Sequence, residues 1–467
     1  MPKVGILATA AAGYFKEGGM CELKRKLEED MDFVVKALSE ELEVVYPGLV
    51  IDEEEGEKVG KMFRNQDLDL ITLFEATYTP SWVVLSVLNQ VRDVPLLVTM
   101  YMPYEGIEKD LDLVNMLRGA GVNGTVEITE TLNRLRRHYC FIVGIPKDEK
   151  TIKEIFEYAK AAALARKLRK IKIAFFPYRC GIMPDTFEDE FKFIEQLGPK
   201  VDYISTFELL EELAKIKDEE VRQNVLWMME NFKLRGPTEK DLTRFAKFKF
   251  ALEKLVEKHN INAVAMLEAN ELAKAIGTNP SGPLENLENR NVPVGMEGDL
   301  STTLAMWILQ ELTGLPTQFV EFLRYDRSNN TVLVGHHGCS GIKLANKGEL
   351  ILDEPWSPLD RSIGSLAAGA KGLSYVYITK PGEVTLLNIS CNREGYKMVI
   401  STAEALDETP RNIKMPHAIL KLRKPVEQYF KELTSEGAKH HFALVHGNVV
   451  SELEKLADIL QIRKVII

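Results

Sequence analysis

Residues 67–103 read DLDLITLFEATYTPSWVVLSVLNQVRDVPLLVTMYMP. DLDLITLFEA has a strand pattern, SWVVLSVLNQV is helical, and PLLVTMYMP is strand-like again. The same alternation extends to both sides. KVGILATA and the helical CELKRKLEEDMDFVVKALSEEL precede it, and DLDLVNMLRGAG follows. The long helix DEKTIKEIFEYAKAAALARKLRK closes the region near Arg169. Short strands alternating with helices of this length imply a parallel, doubly wound sheet. Residues 1–169 therefore read as an N-terminal α/β domain.

A second series begins at IKIAFFPY and ends at GMEGDLSTTLAMWILQELTG, which gives a central α/β domain over 170–314. After Gly314 the rhythm changes. TVLVGHHG, GELILDEP, LSYVYITKPGEVTLLNISCNREGYKMVISTAEAL and HAILKLRKP are short β-rich runs separated by Gly, Pro or Asn. That rhythm predicts an antiparallel, barrel-like domain over 315–467, with a last helix-strand unit NVVSELEKLADILQIRKVII. The expected fold is thus α/β, with two doubly wound parallel-sheet domains followed by a C-terminal antiparallel β-barrel-like domain.

A chain of 467 residues is too long for one ordinary core, which agrees with two or three domains. The formal charge of −10, with both signs interspersed, disfavours nucleic acid as a partner. Cys21, Cys140, Cys180, Cys339 and Cys391 are scattered, odd in number and form no CxxC pair. They point to a reduced, cytoplasmic protein. The N-terminal stretch lacks a basic region and a long apolar run, so no signal peptide is expected. No window approaches the roughly 20 apolar residues of a membrane helix, so no membrane partner is expected either. Abundant Lys and Glu with few Gln point to a thermophilic source.

Eight histidines would give about 0.1 adjacent pairs by chance, yet there are two, His336–His337 and His440–His441. Two acids accompany them. Glu297 lies in the glycine-flanked turn GMEGD before a helix that Asp299 or Ser301 would cap and Gly314 would end. In open α/β sheets, ligands bind at such strand-to-helix turns. The plainer reading of Glu297 is a solvated loop acid. Glu321 interrupts an apolar run and could equally point outward on a β edge. Together the acids and the histidine pairs make a candidate site of carboxylate oxygens and imidazole nitrogens. Such a donor set suits Mn2+, with Co2+ or Mg2+ as competitors, and zinc fits less well without HExxH-type spacing. Cys339 reads as a packing thiol. His138 and His259 lie on charged helices and read as solvated, and His417 receives no role. No P-loop, GxGxxG or GxSxG pattern occurs.

GMEGD, FVEF, VGHHG and GAKHHFALVHG resemble, in this order, the metal-site segments of L-arabinose isomerases. Carried across, the resemblance implies the metal ligands Glu297, Glu321, His337 and His441. ATYTPSW is similar to a further segment of that family and puts Tyr78 at its aromatic position near the sugar. Asp299 and His440 read as substrate-hydroxyl partners or supports of the ligands, and equally as a helix cap and a structural hydrogen bond. The family implies homo-oligomers, trimers or hexamers, with sites between subunits. There are departures: TAAAGYFKEG replaces a polar cluster near the sugar, and Phe322 stands where the family has Asp. L-fucose isomerases, related in architecture, use a different ligand set, and Glu321 with the C-terminal histidine pair favours the arabinose-type pattern.

The expected function is therefore metal-dependent aldose–ketose isomerisation of a small sugar. A Lewis-acidic ion would stabilise an enediol while Glu297 and Glu321 move protons, with a hydride shift as the other route. The alternatives are an L-fucose-type isomerase, a related metal-dependent sugar epimerase or aldolase, and a non-catalytic sugar-binding protein.

Overall fold

A computed structural model describes the chain except residues 17–19, 108, 146, 269–270, 339–340, 347–349, 355–371 and 410–411. The chain divides into two units, Met1–Lys167 with Glu454–Gln461, and Leu168–Leu453 with Ile462–Ile467. No described helix is long and apolar enough to cross a membrane.

The first unit is built on a wholly parallel sheet. Its strands are β1 (Lys3–Thr9), β2 (Glu43–Val45), β3 (Leu49–Val50), β4 (Leu70–Glu75), β5 (Leu96–Tyr101) and β6 (Cys140–Gly144). They run in the order β2-β1-β4-β5-β6, with β3 also beside β1. Helices Cys21–Leu38 and Glu149–Leu168 cover one face, where Met31, Val34, Ile155 and Ala159 meet Ile6 and Phe74. Helices Glu53–Arg64, Ser81–Leu88 and Gly121–Arg134 cover the other, where Phe63, Val84 and Ile128 meet Leu7 and Leu73. Cover on both faces explains why LITLFE is buried at every position instead of alternating.

The second unit joins a parallel sheet to a barrel. β7 (Lys172–Phe176), β8 (Lys200–Tyr203), β10 (Ala263–Met266) and β11 (Val294–Gly295) are parallel, in the order β11-β10-β7-β8. β9 (Lys233–Arg235), β14 (Ile351–Asp353) and β15 (Ser374–Val376) form a small separate sheet. Six antiparallel strands make the barrel: β12 (Gln318–Asp326), β13 (Thr331–Gly335), β16 (Gly382–Asn392), β17 (Gly395–Ala405), β18 (His417–Leu422) and β19 (His441–His446). Their order is β16-β19-β12-β13-β18-β17, and β16 pairs with β17 to close the ring. β20 (Arg463–Ile466) adds to β17 in parallel. Val320, Val334, Leu386, Val399, Leu420, Phe442 and Leu444 fill the interior.

Helix Leu300–Thr313 holds this unit together. Every residue from Leu300 to Gln310 is buried. One side touches β7, β10 and β11, and the other touches β12, β16 and β19. A helix without a polar face must be enclosed all round, and LSTTLAMWILQ has none. Asp299 caps its first turn and Gly314, with φ +66°, ends it.

Glu75, the last residue of β4, is buried, and among the described residues neither of its carboxyl oxygens has a hydrogen-bond partner. Burial, with Glu127 adding to it, pushes its pKa from 4.5 to about 9. Between those values the folded chain holds a proton that the unfolded chain has released. Glu75 therefore removes stability as the pH rises from 4.5 towards 9. The urea midpoint of Glu75→Gln is expected to fall less steeply over that range than that of the native chain, and parallel profiles would contradict this.

Candidate metal centre

The barrel register brings two of the expected residues together. Glu321 on β12 pairs with His441 on β19 and, on its other side, with Gly335 on β13. One position earlier, Val320 pairs with Phe442, and both point into the barrel core. Alternation along a strand thus turns Glu321 and His441 outward. This is why an acid interrupts the apolar run: the two faces of β12 meet different surroundings. Phe319, two residues before Glu321, lies on the same face. Its ring sits 4.8 Å from that of His336 and 4.5 Å from that of His441, centroid to centroid.

The parallel sheet and the buried helix supply the other half. β11 ends at Gly295, and the next turn carries two successive left-handed residues, Glu297 at φ +58° and Gly298 at +66°. A non-glycine residue in that region costs about 1–2 kcal/mol. Two bonds hold it there: the Glu297 N–H donates to Glu268 Oε2 at 2.9 Å, and the Gly298 N–H donates to the Met266 carbonyl at 3.1 Å. Glycine is required at 298, because a Cβ would fall 2.9 Å from the Tyr178 carbonyl oxygen.

Asp299 follows and is completely enclosed. Its Oδ1 accepts from the Thr302 N–H at 3.0 Å and from Lys439 Nζ at 2.7 Å. Its Oδ2 accepts from Thr302 Oγ1 at 2.9 Å and lies 3.0 Å from His441 Nδ1. Lys439, also buried, donates in addition to Ser301 Oγ at 2.6 Å and to Glu188 Oε1 at 2.9 Å. Burial alone would raise the Asp299 carboxyl, but the Lys439 ammonium and His441 hold it far below the usual carboxylate range.

Each inner histidine is therefore anchored through Nδ1 and turns Nε2 to the cluster. His441 Nε2 is buried, lacks a hydrogen-bond partner among the described residues and stands 3.3 Å from Glu297 Oε2. His336 Nδ1 donates to the His337 carbonyl at 2.6 Å, which leaves Nε2 facing Glu297 Oε1 at 3.7 Å. Burial and the neighbouring His337 push His336 well below the ordinary histidine range, so its ring is neutral. Burial opposes charge on His441, yet Asp299 and Glu297 raise it to about 9. Burial likewise opposes charge on Glu297, while His441 and His336 hold it near 2. Glu321 is raised by burial, with His441 opposing.

Three groupings bring metal-ligating atoms within 4.8 Å of one another: Glu297–His336–His337, Glu297–His440–His441 and Glu321–His336–His441. His336 thus shares range with both acids. His337 is 39% exposed, and its Nε2 lies 2.7 Å from Glu268 Oε1. His440 is held by Asp185 at its ring and its backbone N–H, and its ring lies 3.7 Å from that of His441. Tyr78 belongs to the first unit, where its hydroxyl donates to Glu127 at 3.0 Å. Cys339 lies outside the described residues. Spacing marked the 336–337 pair without choosing between its members, and it missed Glu268 and Lys439. Glu268 was open to discovery as an acid just past the carboxyl end of a parallel strand.

No protein-family model matches the chain. It is similar to the sulfoquinovose isomerase of Priestia aryabhattai, 25% identical over 345 residues that cover 71% of this chain and 73% of that protein. The sulfoquinovose isomerase of Alkalicoccus urumqiensis is 26% identical over 220 residues, 47% of each, so the chain matches about half of that relative. L-arabinose isomerase 2 of Clostridium acetobutylicum is 24% identical over 344 residues, 69% of this chain and 68% of that protein. The expectation of an arabinose-type enzyme thus holds at a coarser level. These similarities support the arabinose/fucose isomerase superfamily as the level of resemblance.

Proposed function

We propose that the chain is a metal-dependent aldose–ketose isomerase whose ion is held by Glu297, Glu321, His336 and His441. One observation carries the reading: each of two carboxylates comes within range of buried imidazoles whose other nitrogens are already engaged. Each grouping within 4.8 Å sets one acid beside two imidazoles, and His336 and His441 each occur with both acids. The partnerless Nε2 of His441 is the kind of buried atom a cation would satisfy. Oxygen and nitrogen donors without thiolate favour Mn2+, with Co2+ or Mg2+ as alternatives. His336 takes the place that resemblance gave to His337, since the Nε2 of His337 is committed to Glu268.

A dication held by these residues would supply Lewis acidity to the carbonyl end of an aldose. The side chains supply the proton movements. No hydrogen bond engages the Glu321 carboxylate among the described residues, and Glu321 is more open than Glu297. Glu321 takes the C2 proton and returns it to C1, while a second proton passes from O2 to O1. Glu297 stays ionised and fixed by its turn. Asp299 acts through His441 and not by touching sugar, because both its oxygens are occupied. His337 and His440 stand at the open side, where sugar hydroxyls would lie.

Glu321→Gln is expected to lower kcat by roughly 10²–10⁴-fold in a ketose-formation assay while the circular dichroism spectrum is retained. Full activity would exclude the assignment. Asparagine caps helices as well as aspartate does, so Asp299→Asn should keep the helix but lose the charge that orients His441. Its calorimetric Mn2+ affinity is expected to fall roughly 10–100-fold, and an unchanged affinity would contradict the role given to Asp299. Deuterium at C2 of the aldose is expected to wash out into solvent. Its complete transfer to C1 would demonstrate a hydride shift instead.

A further inference from the structure

One short stretch of the loop after β7 reaches both histidines of the 440–441 pair. Pro184–Thr186 is a single 3-10 turn, with Asp185 inside it and Glu188 two residues beyond it. Asp185 holds His440 directly, at its ring and its backbone N–H. Glu188 reaches His441 by a longer route. Its side chain is 3% exposed, and its Oε1 accepts from Lys439 Nζ at 2.9 Å. Its Oε2 accepts from the Tyr396 hydroxyl at 2.6 Å, at the start of β17. The Tyr396 N–H donates to Gln196 Oε1 at 2.7 Å, and its ring meets that of Phe193 edge to face, 5.9 Å between centroids. The barrel thus holds Glu188 through a bond that does not involve Lys439.

A lysine ammonium has three donors, and those of Lys439 go to Glu188, to Asp299 Oδ1 at 2.7 Å and to Ser301 Oγ at 2.6 Å. One ammonium between two carboxylates leaves a net charge of −1. That surplus faces His441 Nδ1 through Asp299 Oδ2. Without Glu188, Lys439 and Asp299 would neutralise each other, and a buried ammonium would stand two residues from a candidate ligand of a dication. A carboxylate on the far nitrogen of a ligating imidazole orients the ring and raises the basicity of the near nitrogen. In an enclosed site such a change of charge is weakly screened.

Building on the metal-dependent isomerase reading, we infer that Glu188 is a positioning residue for the reaction: its carboxylate offsets Lys439 and so keeps the charge of Asp299 available to His441. Both its oxygens are occupied, by Lys439 and Tyr396, so it acts through Lys439 and Asp299 and not by touching ion or sugar. The stretch from Asp185 to Glu188 thereby braces the two adjacent histidines at once, His440 directly and His441 through two intervening charges.

The test is calorimetric Mn2+ binding to the full chain, arranged as a double-mutant cycle between Glu188 and Asp299. Glu188→Gln removes the charge at nearly constant size and is expected to weaken Mn2+ roughly 10-fold with the circular dichroism spectrum retained. Glu188→Asp keeps the charge and should recover much of that loss. In the Asp299→Asn background, Glu188→Gln should cost no more than about 2-fold, because the charge it acts through is already gone. Equal losses in the two backgrounds, Glu188→Asp as weak as Glu188→Gln, or an unchanged affinity in Glu188→Gln would each overturn the inference. If Asp299→Asn does not fold, the order of native chain, Glu188→Asp and Glu188→Gln decides alone. Ketose formation is measured alongside. A native chain that takes up no Mn2+ refutes the metal centre and this inference together. Turnover with equal losses in both backgrounds refutes Glu188 alone, and Glu188-dependent Mn2+ uptake without turnover of any aldose refutes the isomerase reading alone.

Discussion

The Asp299 carboxylate is the constraint on which the second unit depends. It is wholly buried, and five donors from two distant parts of the chain converge on its two oxygens. Thr302 ties it to the helix it caps, while Lys439 and His441 tie it to the start of β19. Removing such a charge from water costs several kcal/mol, which the lysine, the histidine and the positive end of the helix offset. The gain is positional more than energetic. One acid joins the parallel sheet's helix to the barrel and fixes which nitrogen of His441 faces Glu297.

Barrel register completes the arrangement. A shift of one residue between β12 and β19 would send Glu321 into the apolar interior and Val320 to the outer face. The cost of burying that carboxylate among Leu386, Phe442 and Leu444 makes the slip prohibitive. The left-handed turn at Glu297 is sustained in the same way, by Glu268 below and by the close approach of Tyr178 that only glycine at 298 permits. Strain at one acid and register at the other set each carboxylate within range of His336.

Much of this was legible in the sequence. The strand-helix-strand rhythm around LITLFE gave the parallel sheet, and the shorter β-rich runs after Gly314 gave the barrel. The turn GMEGD gave Glu297, and the helix limits at Asp299 and Gly314 followed from capping chemistry. What spacing could not give was nonlocal. Which member of the 336–337 pair turns inward depends on the backbone just after Gly335, where the Nδ1 of His336 finds the next carbonyl. Lys439 reads as an ordinary loop lysine until the fold places two acids against it. The change of rhythm at Gly314 marks a change of topology, not a gap in packing, because the helix before it is buried against sheet and barrel alike.

The central claim is that Glu297, Glu321, His336 and His441 grip one dication. Anomalous diffraction from manganese-soaked crystals, recorded at the manganese absorption edge, tests it most directly. The account predicts a single strong peak within bonding distance of all four side chains, with His337 turned to Glu268. A peak bonded to His337 in place of His336 would contradict the ligand assignment, and no peak among these residues would contradict the metal centre itself.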